Sequence, residues 1–453
     1  MLLSLTKINY KIFLINFLFS FIPISFIAGN LILNINILLF IIFTIFFYGK
    51  DLFTLNFNVL DKIIVVFFTF TILTGVINNL YFKPENLLEE FTIIIKTILY
   101  LRFLLFYFAI RILINRDIIN FKSFFIFSSI CTYFVCLDLI YQFNFGKDIF
   151  GYMSLDSRRM SGPFGENERI AGSYIQRFSL FMFFLIPFFL KNKNKTYLYL
   201  VLLISLILII VGLIIAGNRM PLILFIILIF SYFAFNKKMR KFSLLFVSFF
   251  LIIFITFWNL NSNVKMHFGS FKTKVIEIIE FASDVIRQDK KSKFIETKDD
   301  ESQLYRYSII VDGKTMLPPN NHVKEFNSGY QTWLENKYFG GGIKSFRYNC
   351  VTFNCSTHPH NYYLEILSEL GIIGFILLII IFLKVLYVSF LKKLISKTGL
   401  NYDQAVIPFV FLFLIEIFPI KSTGSFFTTG NATYIFLIMS VTIALTRKSE
   451  REN

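Results

Sequence analysis

Apolar residues in this chain run in long unbroken stretches; they neither alternate nor recur on one face. Twelve such stretches lie near residues 11–29, 31–48, 60–80, 92–114, 122–143, 173–190, 196–215, 219–235, 242–260, 360–388, 404–420 and 430–446. A helix rising about 1.5 Å per residue crosses a hydrocarbon core of about 30 Å in about 20 residues. The pattern therefore predicts an all-α integral membrane protein of about twelve transmembrane helices. The first stretch is followed almost at once by the second and lacks a small-residue cleavage pattern, so it is read as a retained helix. Polar segments at 144–172 and 261–357 interrupt the series. They divide the chain into an N-terminal bundle at 1–260, a long loop at 261–357 forming a small cap, and a C-terminal bundle at 358–453. Within the loop, 271–286 has apolar residues at helical spacing, which suits a helix lying on the membrane or packed on the cap. The stretch 288–303 is polar with mixed charge and is predicted to be mobile.

Composition agrees with this picture. Of 453 residues, 56% are hydrophobic and 16% charged, too little charge to cover a water-facing globule. The formal charge of +17 sits in short clusters between apolar stretches, not on one face, so a nucleic-acid partner is excluded. Clusters such as Lys191, Lys193 and Lys195, or Lys237, Lys238, Arg240 and Lys241, alternate with poorly charged loops. The positive-inside rule then predicts cytoplasmic termini and places both polar segments on the far side. No Walker A, HExxH or GxSxG pattern occurs, and the first outer loop has no Asp-x-Asp pair, so neither metal nor cofactor is predicted.

Cys131 and Cys136 fall inside an apolar stretch and read as small buried residues. Cys350 and Cys355 flank four residues of a loop expected in an oxidising compartment, which suits a local disulfide ahead of residue 358. A metal pair is the rival reading, with His358 and His360 as the nearby ligands.

The richest segment is STHPHNYYLEILSELGIIG at 356–374. Ser356 or Thr357 suits a helix cap and Pro359 its first turn. His360, Leu364, Leu367, Gly371 and Gly374 then share a stripe. That puts His360 at the mouth of a membrane helix, where the dipole and nearby cations disfavour the imidazolium and keep a proton acceptor available. The competing reading is that His358 and His360 merely cap an interfacial helix. Gly371 and Gly374 would let a neighbouring helix approach. Arg219 in AGNRMPLIL follows Asn218 as an N-cap, and a cation opening a helix implies an anion. Arg158, Arg159, Arg169, Arg177, Arg306 and Arg347 are further outward cations, each explicable as solvated charge. FGGGIKSFR at 339–347 offers a turn whose amides can approach a phosphate, although glycine runs also make plain linkers.

Together these segments resemble the O-antigen ligase and polymerase family of envelope glycosyltransferases. The resemblance rests on SGPFGENERIAGSY at 161–174, GNRMP at 217–221, FGGGIKSFR at 339–347, CSTHPHNYYLEILSELGIIG at 355–374 and FPIKSTGSFFTTGNATY at 418–434. It implies transfer of a polysaccharide from a polyprenyl diphosphate carrier to lipid A-core or a growing glycan at the periplasmic face of the bacterial inner membrane. It further implies an inverting, metal-independent displacement. His360 would be the base, Arg219, Arg347, Arg306 and Arg159 would hold the diphosphate, and Asn361 and His358 would position the sugar or acceptor. The resemblance leaves ligase and polymerase open, with the ligase placed first.

A transporter or flippase of an anionic substrate is the alternative from another class. It would gather Lys96, Arg102, Asp138 and Glu416 at a midplane cavity. A non-catalytic envelope scaffold is a third, weaker reading.

Overall fold

The computed structural model describes residues 9–81, 92–156, 158–166, 168–189, 194–235, 240–271, 276, 293–298, 305–311, 314–316, 321–350, 355–391, 405–419, 421 and 424–451. Its principal helices are α1 (Tyr10–Ala28), α2 (Asn30–Tyr48), α3 (Val59–Tyr81), α4 (Thr92–Tyr100), α5 (Arg102–Asn115), α6 (Phe121–Phe145), α7 (Ala171–Phe178), α8 (Leu180–Phe189), α9 (Lys195–Ala216), α10 (Arg219–Phe235), α11 (Arg240–Leu260), α12 (Asn321–Glu335), α13 (Tyr362–Leu386), α14 (Val406–Glu416) and α15 (Thr429–Arg451).

Helix occupies each of the twelve predicted stretches. Among the described residues, however, eight helices are long and apolar enough to cross a membrane, or nine if one bent pair counts as a span. The bent pair is Ser248–Leu260 with Ser262–Phe271, which turn by 114° at Asn261. Asn261 Oδ1 accepts from Val264 N at 3.0 Å, capping the second helix and fixing the turn. Helix α14 is only 11 residues long and falls short of a full crossing.

Three sequence expectations are corrected. The chain is not wholly helical: β1 (Lys293–Lys298), β2 (Tyr305–Val311) and β3 (Lys314–Met316) form an antiparallel sheet of order β1-β2-β3, with Glu296 opposite Tyr307 and Ile310 opposite Thr315. Strand β1 lies inside the stretch expected to be mobile and pairs with β2 along its whole length. Helix α13 starts at Tyr362, later than expected. The surface helix expected at 271–286 lies almost entirely outside the described residues.

Lipid tails are as apolar as leucine, so bundle cohesion comes from packing and polar contacts, not from water exclusion. Aromatic rings supply much of that packing. Phe124 lies 5.0 Å from Phe19 and 5.1 Å from Phe181 between ring centroids, tying α6 to α1 and α8. At one end of the bundle, buried Asp61 of α3 receives Arg111 and Tyr107 of α5 and, at 3.1 Å, Arg447 of α15.

Candidate active site

Helix α9 stops at Gly217, which holds a left-handed φ of 63° and donates back to Ile214 O. A Cβ here would stand 2.5 Å from Arg158 O and 3.0 Å from Arg159 Cγ, so glycine serves both the turn and the approach of the arginine segment. His267 Nε2 lies 2.8 Å from Gly217 O. Asn218 precedes α10, and its carbonyl accepts from Leu222 N. Its side chain does not cap that helix as expected. Oδ1 accepts from Gly172 N at 3.2 Å and Nδ2 donates to Arg169 O at 3.0 Å, pinning α7 to the turn. Arg219 donates to His267 O and to Ser270 Oγ at 2.8 Å.

The turn thus gathers Arg158, Arg159, Arg219 and His267. Asp156 is the carboxylate paired to this segment, 2.9 Å from Arg158 and 3.9 Å from Arg169. The hydrogen bond from Arg158 holds Asp156 down at about 2. Burial, then Arg169 and Arg158, lower Arg159 below its usual range, with Asp156 opposing them. The Nε atoms of Arg159 and Arg219 are buried and have no hydrogen-bond partner among the described residues. A group with more cation than anion and unspent donors is suited to an incoming anion.

Helix α7 leads from this turn to a second polar centre. Arg177, near its far end, reads from sequence as solvated charge but is buried. It sits 2.7 Å from Glu416 Oε1 and donates to Asn431 Oδ1 at 2.7 Å. Lys421 lies 2.7 Å from Glu416 Oε2, and Tyr362 OH donates to Oε1 at 3.0 Å. Burial pushes Lys421 down to about 8, against the pull of Glu416. Lys421 and Asn431 lie in the segment on which the family resemblance rests, yet their type and spacing alone gave no hint of this pairing.

At the mouth of α13 the chain is shaped differently from the expected cap. Asn361 is the N-cap: Oδ1 accepts from Tyr363 N at 3.0 Å and Leu364 N at 3.2 Å, while Nδ2 donates to Pro419 O at 3.0 Å. Its carboxamide is therefore engaged with protein on both atoms. His360 lies just outside the helix with φ of 53°, so it is not part of the Leu364 stripe. The His358 and His360 ring centroids are 4.3 Å apart. Burial, then His360 and Arg347, push His358 down to about 4, leaving a neutral ring whose Nε2 is buried without a partner among the described residues. Ser356, just upstream, donates to Glu325 of α12 at 2.7 Å, and Cys350 is bonded to Cys355 as a disulfide.

The three glycines at 340–342 do not offer their amides to a phosphate. Gly371 interrupts α13 with φ of 65° and ψ of −171°, freeing backbone groups on either side. Gly341 N donates to Ser368 O at 3.1 Å and Gly342 N to Glu369 O at 2.7 Å. In return Ile372 N donates to Lys337 O at 2.8 Å. A Cβ at Gly340 or Gly371 would overlap the opposing backbone. The glycines thus serve close backbone docking. Gly371 admits this loop, whereas Gly374 admits Phe70 of α3, as expected of a helix contact. Glu369 completes the joint by accepting from Lys344 N at 2.6 Å. Burial and then Arg347 lower the Lys344 ammonium, with Glu369 opposing them.

The predicted site residues thus fall into two groups. Arg159 and Arg219 share the Gly217 turn with Arg158 and His267. Arg347 is exposed, close enough to His358 and Lys344 to shift both, and belongs with His360. Arg306 lies on β2 opposite Thr297, and its side chain lies outside the described residues. Two of the participants, Arg219 and His360, lie in one continuous stretch that also holds His267, Lys344 and Arg347. Residues 204–379, containing all of them, match the family described as O-antigen ligase. This stretch of the chain is thus similar to the O-antigen ligase family.

No curated protein matches the chain. Of the motifs behind the resemblance, GNRMP, FGGGIKSFR and the His-Asn segment fall within the O-antigen ligase match, while 161–174 and 418–434 flank it. Such an enzyme acts on lipid-linked glycan in a membrane, which agrees with the many apolar helices. The transporter reading is not favoured. Lys96 donates to Tyr348, Arg102 to Thr429 and Leu99, Asp138 accepts from Ile149 N, and Glu416 pairs with Arg177 and Lys421, so the four do not meet in one cavity.

Proposed function

We propose that the protein transfers an O-antigen or related polysaccharide from polyprenyl diphosphate to an acceptor sugar at the periplasmic face of the bacterial inner membrane. The observation that carries this reading is the histidine pair at the mouth of α13, in the matched stretch and linked to the Gly217 arginine turn through α7, whose Gly172 N donates to Asn218 and whose Arg177 donates to Tyr362 OH. The acceptor hydroxyl oxygen attacks the anomeric carbon as the bond from that carbon to the diphosphate oxygen breaks. His360 takes the hydroxyl proton, and polyprenyl diphosphate leaves with its charge met by Arg219, Arg159, Arg347 and Arg306. A single in-line displacement inverts the anomeric centre. His358, neutral and held against His360, sets the ring's orientation. Asn361 acts through its cap, which fixes the turn that presents His360.

The proposed chemistry is independent of metal. It is supported by the arginines, which take over neutralisation of the leaving group. The charge pattern supports cytoplasmic termini, a bundle at 1–260, a periplasmic segment at 261–357 and a bundle at 358–453. The ligase reading takes lipid A-core as acceptor, and the polymerase reading takes a growing glycan. Purified protein given polyprenyl diphosphate glycan and each acceptor, with products weighed by mass spectrometry, decides between them. Transfer to neither acceptor, with intact donor recovered, would overturn the reading.

A further inference from the structure

The segment after α6 does not rise away from the bundle as an outer loop would. It folds back along the helix. Ile149 N donates to Asp138 Oδ1 at 2.8 Å, and Asp138 lies seven residues before the end of α6, about 10 Å down its axis. The Phe150 ring packs 6.4 Å from Phe134, which is about 16 Å below that end. The returning hairpin, closed by the bridge between Lys147 and Met153, therefore lies beside the outer part of a membrane-spanning helix.

Its side chains and its backbone tell the same story. Ile149, Phe150, Met153 and Leu155 are 53% to 65% exposed, although all are apolar. They continue the exposed apolar stripe of Leu137, Tyr141 and Phe145 on α6. Meanwhile every amide from Asp148 to Tyr152 has an internal acceptor. Asp148 N donates to Tyr152 O, Gly151 N to Asp148 O, Phe150 N and Tyr152 N to Asp148 Oδ1, and Ile149 N to Asp138. A loop in water has no need of such complete pairing. Non-helical backbone at membrane depth does, because no water is there to accept. Exposed Lys147, Arg158 and Arg169 flank the hairpin and fit the phosphates of a lipid headgroup layer.

We propose that residues 147–155 form a re-entrant hairpin immersed in the acyl chains of the outer leaflet. The occupant of its apolar face is bilayer lipid. Asp138 is then the internal cap that lets an irregular backbone persist there, and the arginines that follow are seated at headgroup depth.

The test places a single environment-sensitive fluorophore on Phe150→Cys, and separately on Met153→Cys and Leu155→Cys, so that failure of one variant to fold leaves two. The full-length protein is reconstituted in carrier-free phosphatidylcholine/phosphatidylglycerol vesicles with or without spin-labelled acyl chains. Glu335→Cys, an exposed position at the end of α12, serves as reference. The expected result is about twofold or greater loss of emission at the hairpin positions, as for side chains set roughly 5–10 Å into the boundary, and little loss at 335. Hairpin emission insensitive to spin-labelled lipid, or quenched no more than the reference, overturns the proposal. Quenching only by a water-soluble agent does the same and would mean a solvent-facing loop.

Discussion

The backbone of Gly371 presses so closely on Tyr338 that a single added carbon would overlap the Tyr338 carbonyl. This contact joins a broken membrane helix to the loop that carries Lys344 and Arg347. Gly371→Ala meets both the clash and a left-handed φ, and should lower stability by about 3 kcal/mol or more. Thermal unfolding in detergent checks this against Gly269→Ala, whose nearest neighbour is Trp258 at 3.5 Å and which should be nearly neutral. Equal melting temperatures for the two variants would contradict the joint.

Removing one partner of the buried Arg177 and Glu416 pair leaves charge without compensation. Glu416→Gln strands two cations, Arg177 and Lys421, and should destabilise by about 3–5 kcal/mol. Arg177→Met added to it should recover part of the loss. Unfolding midpoints of the single and double variants measure this. A Glu416→Gln protein as stable as the parent would refute the pairing.

His358 is held at about 4, against an ordinary value near 6.5. The unfolded chain therefore binds more protons than the folded one between those values. Stability from this residue is complete above about pH 6.5 and is lost as pH falls toward 4. His358→Phe should flatten that part of the stability profile. An acid slope unchanged by the substitution would count against a buried neutral ring.

The sequence disclosed what depends on composition and run length, and obscured what depends on where the chain returns. Long apolar runs announced the helices, and the His-Asn segment announced the mouth of α13. The same run could not reveal that Gly371 breaks that helix, because the break is stabilised by residues about 30 positions earlier. Arg177 read as surface charge because its partner Glu416 lies 239 residues away. His267 escaped notice because its isolated position carries no motif; only the bend at Asn261 brings it to Gly217. The glycines of 340–342 suggested a phosphate cradle, since their spacing does not show that their amides are already taken.

Arg219 tests the anion reading. A lysine keeps the charge but loses the planar fork, and Arg219→Lys should raise the donor KM about 10-fold, equivalent to about 1.4 kcal/mol, with acceptor KM unchanged. Initial rates at varied donor and acceptor concentrations separate the two. An equal rise in both constants would mean that Arg219 shapes the fold without meeting the diphosphate.

The most direct test is single-turnover transfer by purified His360→Ala protein, with donor binding measured on the same sample. The expected result is a transfer rate at least about 100-fold below the parent, as for loss of a general base, with donor affinity nearly intact. Transfer at the parental rate from a well-folded His360→Ala protein would contradict the account.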